Sequence, residues 1–347
     1  MGQKAWEKAK EGRQEITQQV IEMMKEQNTN WIQPWVDSYN RPYNPVTKNY
    51  YHGANVLRLW AVSMAKQYED PRWITFKQAS DNDWKIKKGE KGVLCEYWNK
   101  KIKEVEDAET GEKKQEIIPI LNTFYVFNAQ QVEGMPALET VSVIQKYNGE
   151  YNKLADQLIA SSECPVHEDK ESRGAYYTPS TDSITLPDRS QFFETAGFVE
   201  TLLHEMSHST GHPSRLNRES IAAMTLTSDV PPNTKDENNI NNYPLEELVA
   251  EFSSIMVEKD LGVTSSGGMK NHAAYLNSWI AALEKDENVL FRVILAADNA
   301  ADRLIHNYEV QVEKETTETK SETKHEHKWG FQSLSHKYKN IDEDIDI

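Results

Sequence analysis

The chain of 347 residues has few cysteines and no long apolar segment. Its two cysteines, Cys95 and Cys164, are far apart, and two thiols form neither a disulfide framework nor a thiolate zinc site. It lacks a run of about 18 apolar residues that could cross a membrane, and its first residues are charged, unlike those of a signal peptide. We therefore expect a cytoplasmic protein with reduced thiols and no membrane partner.

Positive charge is also scarce, since the net charge is −16. Taken alone, this value argues against a nucleic-acid-binding protein, because contacts to phosphate need Lys and Arg. The acidic excess is unevenly distributed, however: residues 1–130 carry 20 Lys and Arg against 18 Asp and Glu, and residues 131–347 carry 19 against 37. This asymmetry predicts separate roles for the two parts and leaves room for a first domain that contacts an anion.

Length and hydrophobic patterning predict two domains of the α+β class and a tail. Residues 1–136 are predicted to form a small α+β domain, and residues 137–310 a mostly helical domain with a small edge sheet. Residues 311–347 are polar and of low complexity, which favours a disordered tail.

Individual elements follow from periodicity and from turn residues. In the first domain we expect a helix over residues 3–27, a second helix from after Gly53 to about Gln67, and strands at Val93–Trp98 and Leu121–Asn128, with a charged loop or hairpin tip between these strands. In the second we expect a hairpin within residues 174–187, a helix introduced by Tyr243-Pro244, and further helices near residues 143–161, 190–210, 270–284 and 288–308.

The segment His204-Glu205-Met206-Ser207-His208 has the pattern of a zinc peptidase. Residues four apart share one face of a helix, so the imidazoles of His204 and His208 can bind one Zn2+ ion. Glu205 then lies beside the metal, where it can take a proton from bound water as that water attacks a carbonyl group. The competing interpretation is a pair of hydrogen-bonded core histidines, since short motifs also occur by chance.

A catalytic zinc ion takes three protein ligands and keeps one open position. The segment Glu246-Glu247-Leu248-Val249-Ala250-Glu251 resembles that of the gluzincins, where a glutamate from a following helix completes the site and an acidic residue four positions later supports a ligand histidine. The resemblance implies Glu247 as the third ligand and Glu251 as the supporting residue. Glu246, Glu251 and His212 remain alternative ligands, and a solvated acidic helix face is the competing interpretation.

His212 follows the motif helix in Thr210-Gly211-His212-Pro213-Ser214-Arg215-Leu216. It is a candidate for supporting the metal ligands, although a helix cap followed by a turn explains the Gly and Pro equally well. The metzincin pattern is disfavoured, because it requires a histidine at position 214, which is serine.

Aromatic and basic residues alternate in the first domain, as on a surface that binds single-stranded nucleic acid. The candidate DNA-binding residues are Trp31, Trp35, Lys48, Tyr51, Arg72, Trp73, Lys85, Lys87, Lys88 and Lys91. The alternative is that the aromatic residues belong to the core and the lysines are merely solvated.

Several linked motifs resemble the ArdC antirestriction family. They are Trp31-Ile-Gln-Pro-Trp35, Asn44-Pro-Val-Thr-Lys48, Tyr51-His-Gly-Ala-Asn55, Arg72-Trp-Ile-Thr-Phe76, Lys88-Gly-Glu-Lys-Gly92, Phe124-Tyr-Val-Phe-Asn128, Ala175-Tyr-Tyr-Thr-Pro179 and the two metal-site segments. The resemblance implies a single-stranded-DNA-binding domain followed by a zincin-like metallopeptidase domain. Such proteins travel on plasmids, conjugative elements and phages and shield incoming DNA from host restriction.

The leading hypothesis is therefore a single-stranded-DNA-binding antirestriction protein with a zinc metallopeptidase-like domain. The expected protein partner or substrate is a host restriction protein or another protein. One alternative is a cytosolic metallopeptidase whose first domain recognises protein. A second is a DNA-binding protein with a structural zinc ion, and a third is antirestriction through an acidic domain that imitates DNA.

Overall fold

The computed structural model describes residues 2–27, 41–106, 113–138, 150–220, 243–263, 272–286 and 288–322. The first half is an α+β unit with a central antiparallel sheet. Its helices are α1 (Gly2–Gln27), α2 (Ala54–Lys66) and α3 (Phe76–Asp81), and its strands are β1 (Trp73–Thr75), β2 (Lys85–Ile86), β3 (Val93–Glu106), β4 (Lys113–Asn128) and β5 (Val132–Glu133). Strands β1 and β3 pair antiparallel with β4, and β2 pairs with β5.

Strand β3 is an edge of this sheet, and side chains of α2 complete its backbone hydrogen bonds. Asn55 donates to the carbonyl of Glu96 (2.8 Å) and accepts from its N–H (2.9 Å), and Arg58 donates to the carbonyl of Leu94 (2.9 Å). The buried carboxylate of Glu96 pairs with both Arg58 and Arg13. These contacts cover the start of an edge that would otherwise be open there to pairing with another chain.

The second half is mostly helical and carries a small three-stranded sheet. Its helices are α4 (Tyr151–Ser161), α5 (Thr195–Ser209), α6 (Tyr243–Leu261), α7 (His272–Lys285) and α8 (Val289–Glu322), and its strands are β6 (Val166–Asp169), β7 (Tyr176–Thr178) and β8 (Ser183–Pro187). Strand β8 is central, with β6 parallel and β7 antiparallel to it. None of the described helices combines the length and apolar character that a bilayer crossing requires.

One hydrophobic core runs through both halves. Trp60 and Trp73 of the first half belong to the same buried cluster as Phe198, Phe252 and Trp279 of the second. Helix α1 contacts both β4 and α7, so it packs between the halves. The two halves are therefore joined by shared apolar burial, which is the main favourable term in folding.

A buried ion network reinforces this junction. Arg41 is 1% exposed, donates to the carboxylates of Asp298 and Asp302 of α8, and lies 3.6 Å from that of Asp260 at the end of α6. The Asp298 carboxylate also accepts from the N–H of Gly53 (2.9 Å). Burial opposes the charged form of Asp298, but Arg41, His52 and the N–H of Gly53 together outweigh it and lower the pKa of this carboxyl.

The α+β class and the two-part architecture expected from the sequence are confirmed. The strands of the β3–β4 hairpin are longer than expected, because pairing continues from Val93–Val126 to Glu106–Lys113 through much of the charged segment. Helix α8 passes residue 311, where the disordered tail was expected to begin, and ends at Glu322. Its extension is supported where Gln157 of α4 donates to Glu315 (2.7 Å).

Other expectations fall outside the described residues. They include the structure of residues 323–347 and the start of the helix expected from residue 143. The domain boundary expected near residue 136 adjoins residues 139–149, which are also outside, and it stays a prediction.

We expect Asp298→Asn to lower the free energy of unfolding by about 3 kcal/mol, because it removes one partner of a buried ion pair. The matched control is Glu284→Gln, which breaks the exposed pair between Lys25 and Glu284 and should cost less than about 1 kcal/mol. Urea unfolding of the three proteins measures both values. Equal stabilities for the two variants would contradict a structural role of the buried network.

Candidate metal centre

Helix α5 holds the histidine motif rigidly in the middle of the second half. Phe198, Leu202 and Leu203 on this helix are fully buried. His208 is also buried, whereas the side chain of His204 keeps 23% exposure. The two imidazoles lie on one helical face with their Nε2 atoms 3.2 Å apart, and the site is open to solvent on the side of His204.

Helix α6 brings a carboxylate to both imidazoles. Glu247 Oε2 lies 3.6 Å from His204 Nε2, and Glu247 Oε1 lies 3.6 Å from His208 Nε2. One ligand atom from each of the three residues lies within 4.8 Å of the others, a spacing at which the three can hold one metal ion. Two imidazole nitrogens and one carboxylate form a donor set that catalytic zinc sites use.

Each histidine has its own carboxylate behind it. Glu251 Oε2 lies 3.4 Å from His204 Nδ1, and Glu246 Oε1 lies 3.4 Å from His208 Nδ1. A carboxylate at the second ring nitrogen fixes the orientation of a ligand imidazole and makes it more basic. The two consecutive glutamates therefore contact different ring atoms: Glu247 faces the Nε2 atoms, and Glu246 supports His208 at Nδ1.

Glu246 is fully buried and is held by the segment that follows α5. It accepts from Ser220 and from two nitrogens of Arg218, whose Nη1 also donates to Thr210 Oγ1 (2.7 Å). Burial opposes the charged form of Glu246, but Arg218 and the hydrogen bond to His208 outweigh it and lower the pKa of this carboxyl to about 2. The group supporting His208 is thus a permanent carboxylate.

The other titratable groups at the centre respond to burial and to one another. Burial opposes the protonation of His204, but Glu247 and Glu251 outweigh it and raise the pKa of this imidazole well above its ordinary value. A metal ion would compete with that proton for the same nitrogen. Burial raises the pKa of Glu205, which is 7% exposed and accepts a backbone hydrogen bond from Tyr177 of β7.

Strand β7, at an edge of its sheet, is held beside the centre by Arg215. This arginine donates to the carbonyl of Ser209 (2.6 Å) and to the carboxylate of Asp182, which also accepts from the hydroxyl of Tyr177 (2.8 Å). The end of α5, the β7–β8 turn and the strand that contacts Glu205 are therefore one connected unit.

The structure places the three residues proposed to complete or support the metal site differently. The geometry groups His204 and His208 with Glu247 rather than with the alternatives Glu246, Glu251 or His212. Glu251 stands behind His204, as the gluzincin resemblance implied. His212 does not support a ligand through Nδ1, which contacts Ser214 Oγ at 2.8 Å. The support from Glu246 could not be predicted from the sequence, because it depends on contacts with residues after the motif helix.

The candidate DNA-binding residues divide into buried and exposed groups. Tyr51 and Trp73 belong to the core, and Arg72 is 8% exposed with its guanidinium bound to Asp70, so these three cannot contact a DNA strand in this conformation. The exposed members are Lys48, Lys85, Lys87, Lys88 and Lys91, of which Lys87 donates to the carbonyl of Gln130. Trp31 and Trp35 lie outside the described residues.

Comparison with known proteins matches each half separately. Residues 10–127 match the model of the N-terminal domain of the anti-restriction factor ArdC. Residues 153–298 match the model of a zincin-like metallopeptidase domain. The order of these two matches is the order of the two halves described above.

Two solved structures are similar to most of the chain. The chain is similar to two crystal structures of the antirestriction protein ArdC from plasmid R388, both with coverage of 85% of this chain and 97% of that one. The metal-free form is 31% identical with a TM-score of 0.63, and the Mn(II)-bound form is 30% identical with a TM-score of 0.62. The chain is also 32% identical to the DNA primase TraC of Escherichia coli over 88% of its own length, but it spans 28% of the length of that primase.

We expect Glu251→Gln to weaken metal binding about 10- to 100-fold, because it removes the charge behind a ligand histidine. Glu247→Ala should lose far more affinity, because it removes a ligand. Isothermal titration calorimetry with Zn2+ measures the affinity of both variants and of Glu313→Gln, a control at an exposed position on α8. If metal binding survives Glu247→Ala and disappears in Glu251→Gln, Glu251 is the ligand and Glu247 the supporting residue.

Proposed function

The chain belongs to the ArdC antirestriction family, and we propose that it binds single-stranded DNA through its first half and carries a zinc-dependent peptidase centre in its second. The similarity to ArdC of plasmid R388 supports an antirestriction protein of a mobile element. The observation that carries the peptidase proposal is the convergence of His204, His208 and Glu247 beside the buried Glu205.

The donor set fits a divalent ion. Two histidines and a glutamate are the protein ligands of one class of catalytic zinc site, and such sites leave a position for water. His204 and Glu247 both keep partial side-chain exposure, so a substrate can approach from their side. The similar Mn(II)-bound structure supports a divalent ion in this family, and elemental analysis of the purified chain would distinguish zinc from manganese.

A bound zinc ion would acidify water and polarise a carbonyl group. The role proposed for Glu205 is to take the proton of that water and pass it to the leaving amine. Its buried position and raised pKa suit a group that gains and loses a proton, while the carboxylates of Glu246 and Glu251 hold the two imidazoles in place.

The edge strand β7 supports a peptide as the substrate class. Its Tyr177 contacts Glu205. Among the described strands, β7 pairs only with β8, so its other side is an edge of the sheet. An extended peptide can add to such an edge through backbone hydrogen bonds, which are independent of sequence. We infer that an extended segment of a protein substrate pairs with the edge of β7 and so lies across the metal centre.

We expect Glu205→Gln to lower peptidase turnover about 10²- to 10⁴-fold, because a near-isosteric amide cannot accept the proton. Metal content should stay at the wild-type level, whereas His204→Ala should lose both metal and activity. If antirestriction depends on that turnover, recovery of an unmodified plasmid that enters a restricting host should fall in both variants, and elemental analysis measures their metal content. Full protection by Glu205→Gln would favour a structural ion and exclude a hydrolytic role in antirestriction.

For DNA binding we expect the full chain to bind a fluorescent oligothymidylate more tightly than a duplex of the same length. The affinity should fall with salt, with a slope of about −0.7 per phosphate contact in a log–log plot. Fluorescence anisotropy at several salt concentrations measures both.

A second candidate function follows from the acidic excess of residues 131–347, which suits a surface that imitates DNA. In that case the chain would bind a restriction enzyme directly and would fail to bind the oligonucleotide at low salt. The anisotropy experiment therefore separates the two proposals.

A further inference from the structure

The first half exposes an aromatic side chain that the metal centre does not use. Phe76, the first residue of α3, is 66% exposed, although folding usually buries phenylalanine. Its backbone is fixed by a capping box, in which Thr75 Oγ1 accepts from the N–H of Gln78 and Gln78 Oε1 accepts from the N–H of Thr75. The ring is therefore presented to solvent by an ordered helix start.

A turn formed by residues 44–48 lies against this helix start. Asn44 donates from Nδ2 to Gln78 Oε1 (2.9 Å), and its Oδ1 accepts from the N–H groups of Val46 (3.0 Å) and Thr47 (3.1 Å). Val46 is 41% exposed. The turn thus carries a second exposed apolar side chain, two residues after the Asn44 that contacts the helix start.

Two exposed lysines adjoin these residues along the chain. Lys48 ends the turn and Lys77 follows Phe76, and both are exposed. Bases stack on aromatic rings irrespective of sequence, while cations follow the phosphate backbone. An exposed ring, an apolar neighbour and two cations are the chemistry that recognises a single strand.

We propose that Phe76, Val46, Lys48 and Lys77 form a base-stacking site for single-stranded DNA. The proposal rests on the proposed function and names the residues through which it acts. A protein partner would also cover an apolar patch, but the adjacent lysines favour a polyanion.

The central test compares Phe76→Ala with Phe76→Trp in the full chain. Loss of one stacking partner should weaken oligothymidylate binding about 5- to 140-fold, and Phe76→Trp should keep the wild-type affinity. Phe193→Ala is the matched control, because Phe193 is a fully exposed phenylalanine in the second half. Fluorescence anisotropy gives the affinities, and circular dichroism checks that each variant is folded.

The charge contribution is tested by the double variant Lys48→Gln with Lys77→Gln. Removing two phosphate contacts should reduce the steepness of the log–log salt dependence by about 1.4. Asp81→Asn provides the opposite change, since Asp81 lies one helical turn after Lys77 and its charge opposes a phosphate. This variant should bind the oligonucleotide more tightly than the wild type.

Photo-crosslinking to an oligonucleotide that contains 5-iodouracil locates the contact directly. Mass spectrometry should find the base attached to the peptide that carries Phe76. If the wild type binds the oligonucleotide but Phe76→Ala binds equally well and crosslinks lie elsewhere, the stacking site is wrong and the DNA-binding function stands. If the wild type binds no single strand, the proposed function fails and the site with it.

Discussion

The close approach of α5 and α6 is the contact on which the candidate metal centre depends. Ser207 and Ser253 are fully buried between these helices, with their hydroxyl oxygens 3.1 Å apart, and Ala250 is fully buried as well. Small side chains at a helix contact reduce the interaxial distance, which larger ones would increase. A carboxylate side chain on α6 is short, so it reaches the imidazoles of α5 only because the helices are this close.

The same helix connects the metal centre to the other half of the chain. Helix α6 carries Glu246, Glu247 and Glu251 near its start and Asp260 at its end, where Asp260 faces Arg41. With the shared hydrophobic core, this contact makes the first half part of the surroundings of the centre. The two proposed activities therefore reside in one packed unit, although the stacking site around Phe76 and the histidine motif use different elements.

The sequence predicted those parts of the site whose residues are close along one helix. His204, Glu205 and His208 share a helical repeat, and Glu247 followed from a resemblance that supplies the distant helix. Other roles arise only from tertiary contacts. Glu246 supports His208 because Arg218 and Ser220, on a separate segment, fix its buried carboxylate.

Composition does not distinguish aromatic residues of the core from aromatic residues of a binding surface. Tyr51 and Trp73 resemble stacking residues in sequence, but both belong to the buried cluster, and Tyr51 donates to the carbonyl of Trp73. Phe76 is three residues away and faces solvent, because the chain changes there from strand to helix. Burial is a property of the whole fold, and no local pattern separates these two aromatics.

The charge of the metal centre explains why a cation would be favourable there. Glu205, Glu246, Glu247 and Glu251 gather around two imidazoles, and Arg218 is bound to Glu246. Arg218 compensates the charge of Glu246, while Glu247 and Glu251 favour the protonated form of His204, and Glu247 disfavours the charged form of Glu205. A dication at the two Nε2 atoms and Glu247 would relieve that repulsion, and its binding energy would then also stabilise the fold. The carboxylates that orient the ligands thus also create the electrostatic demand for the ion.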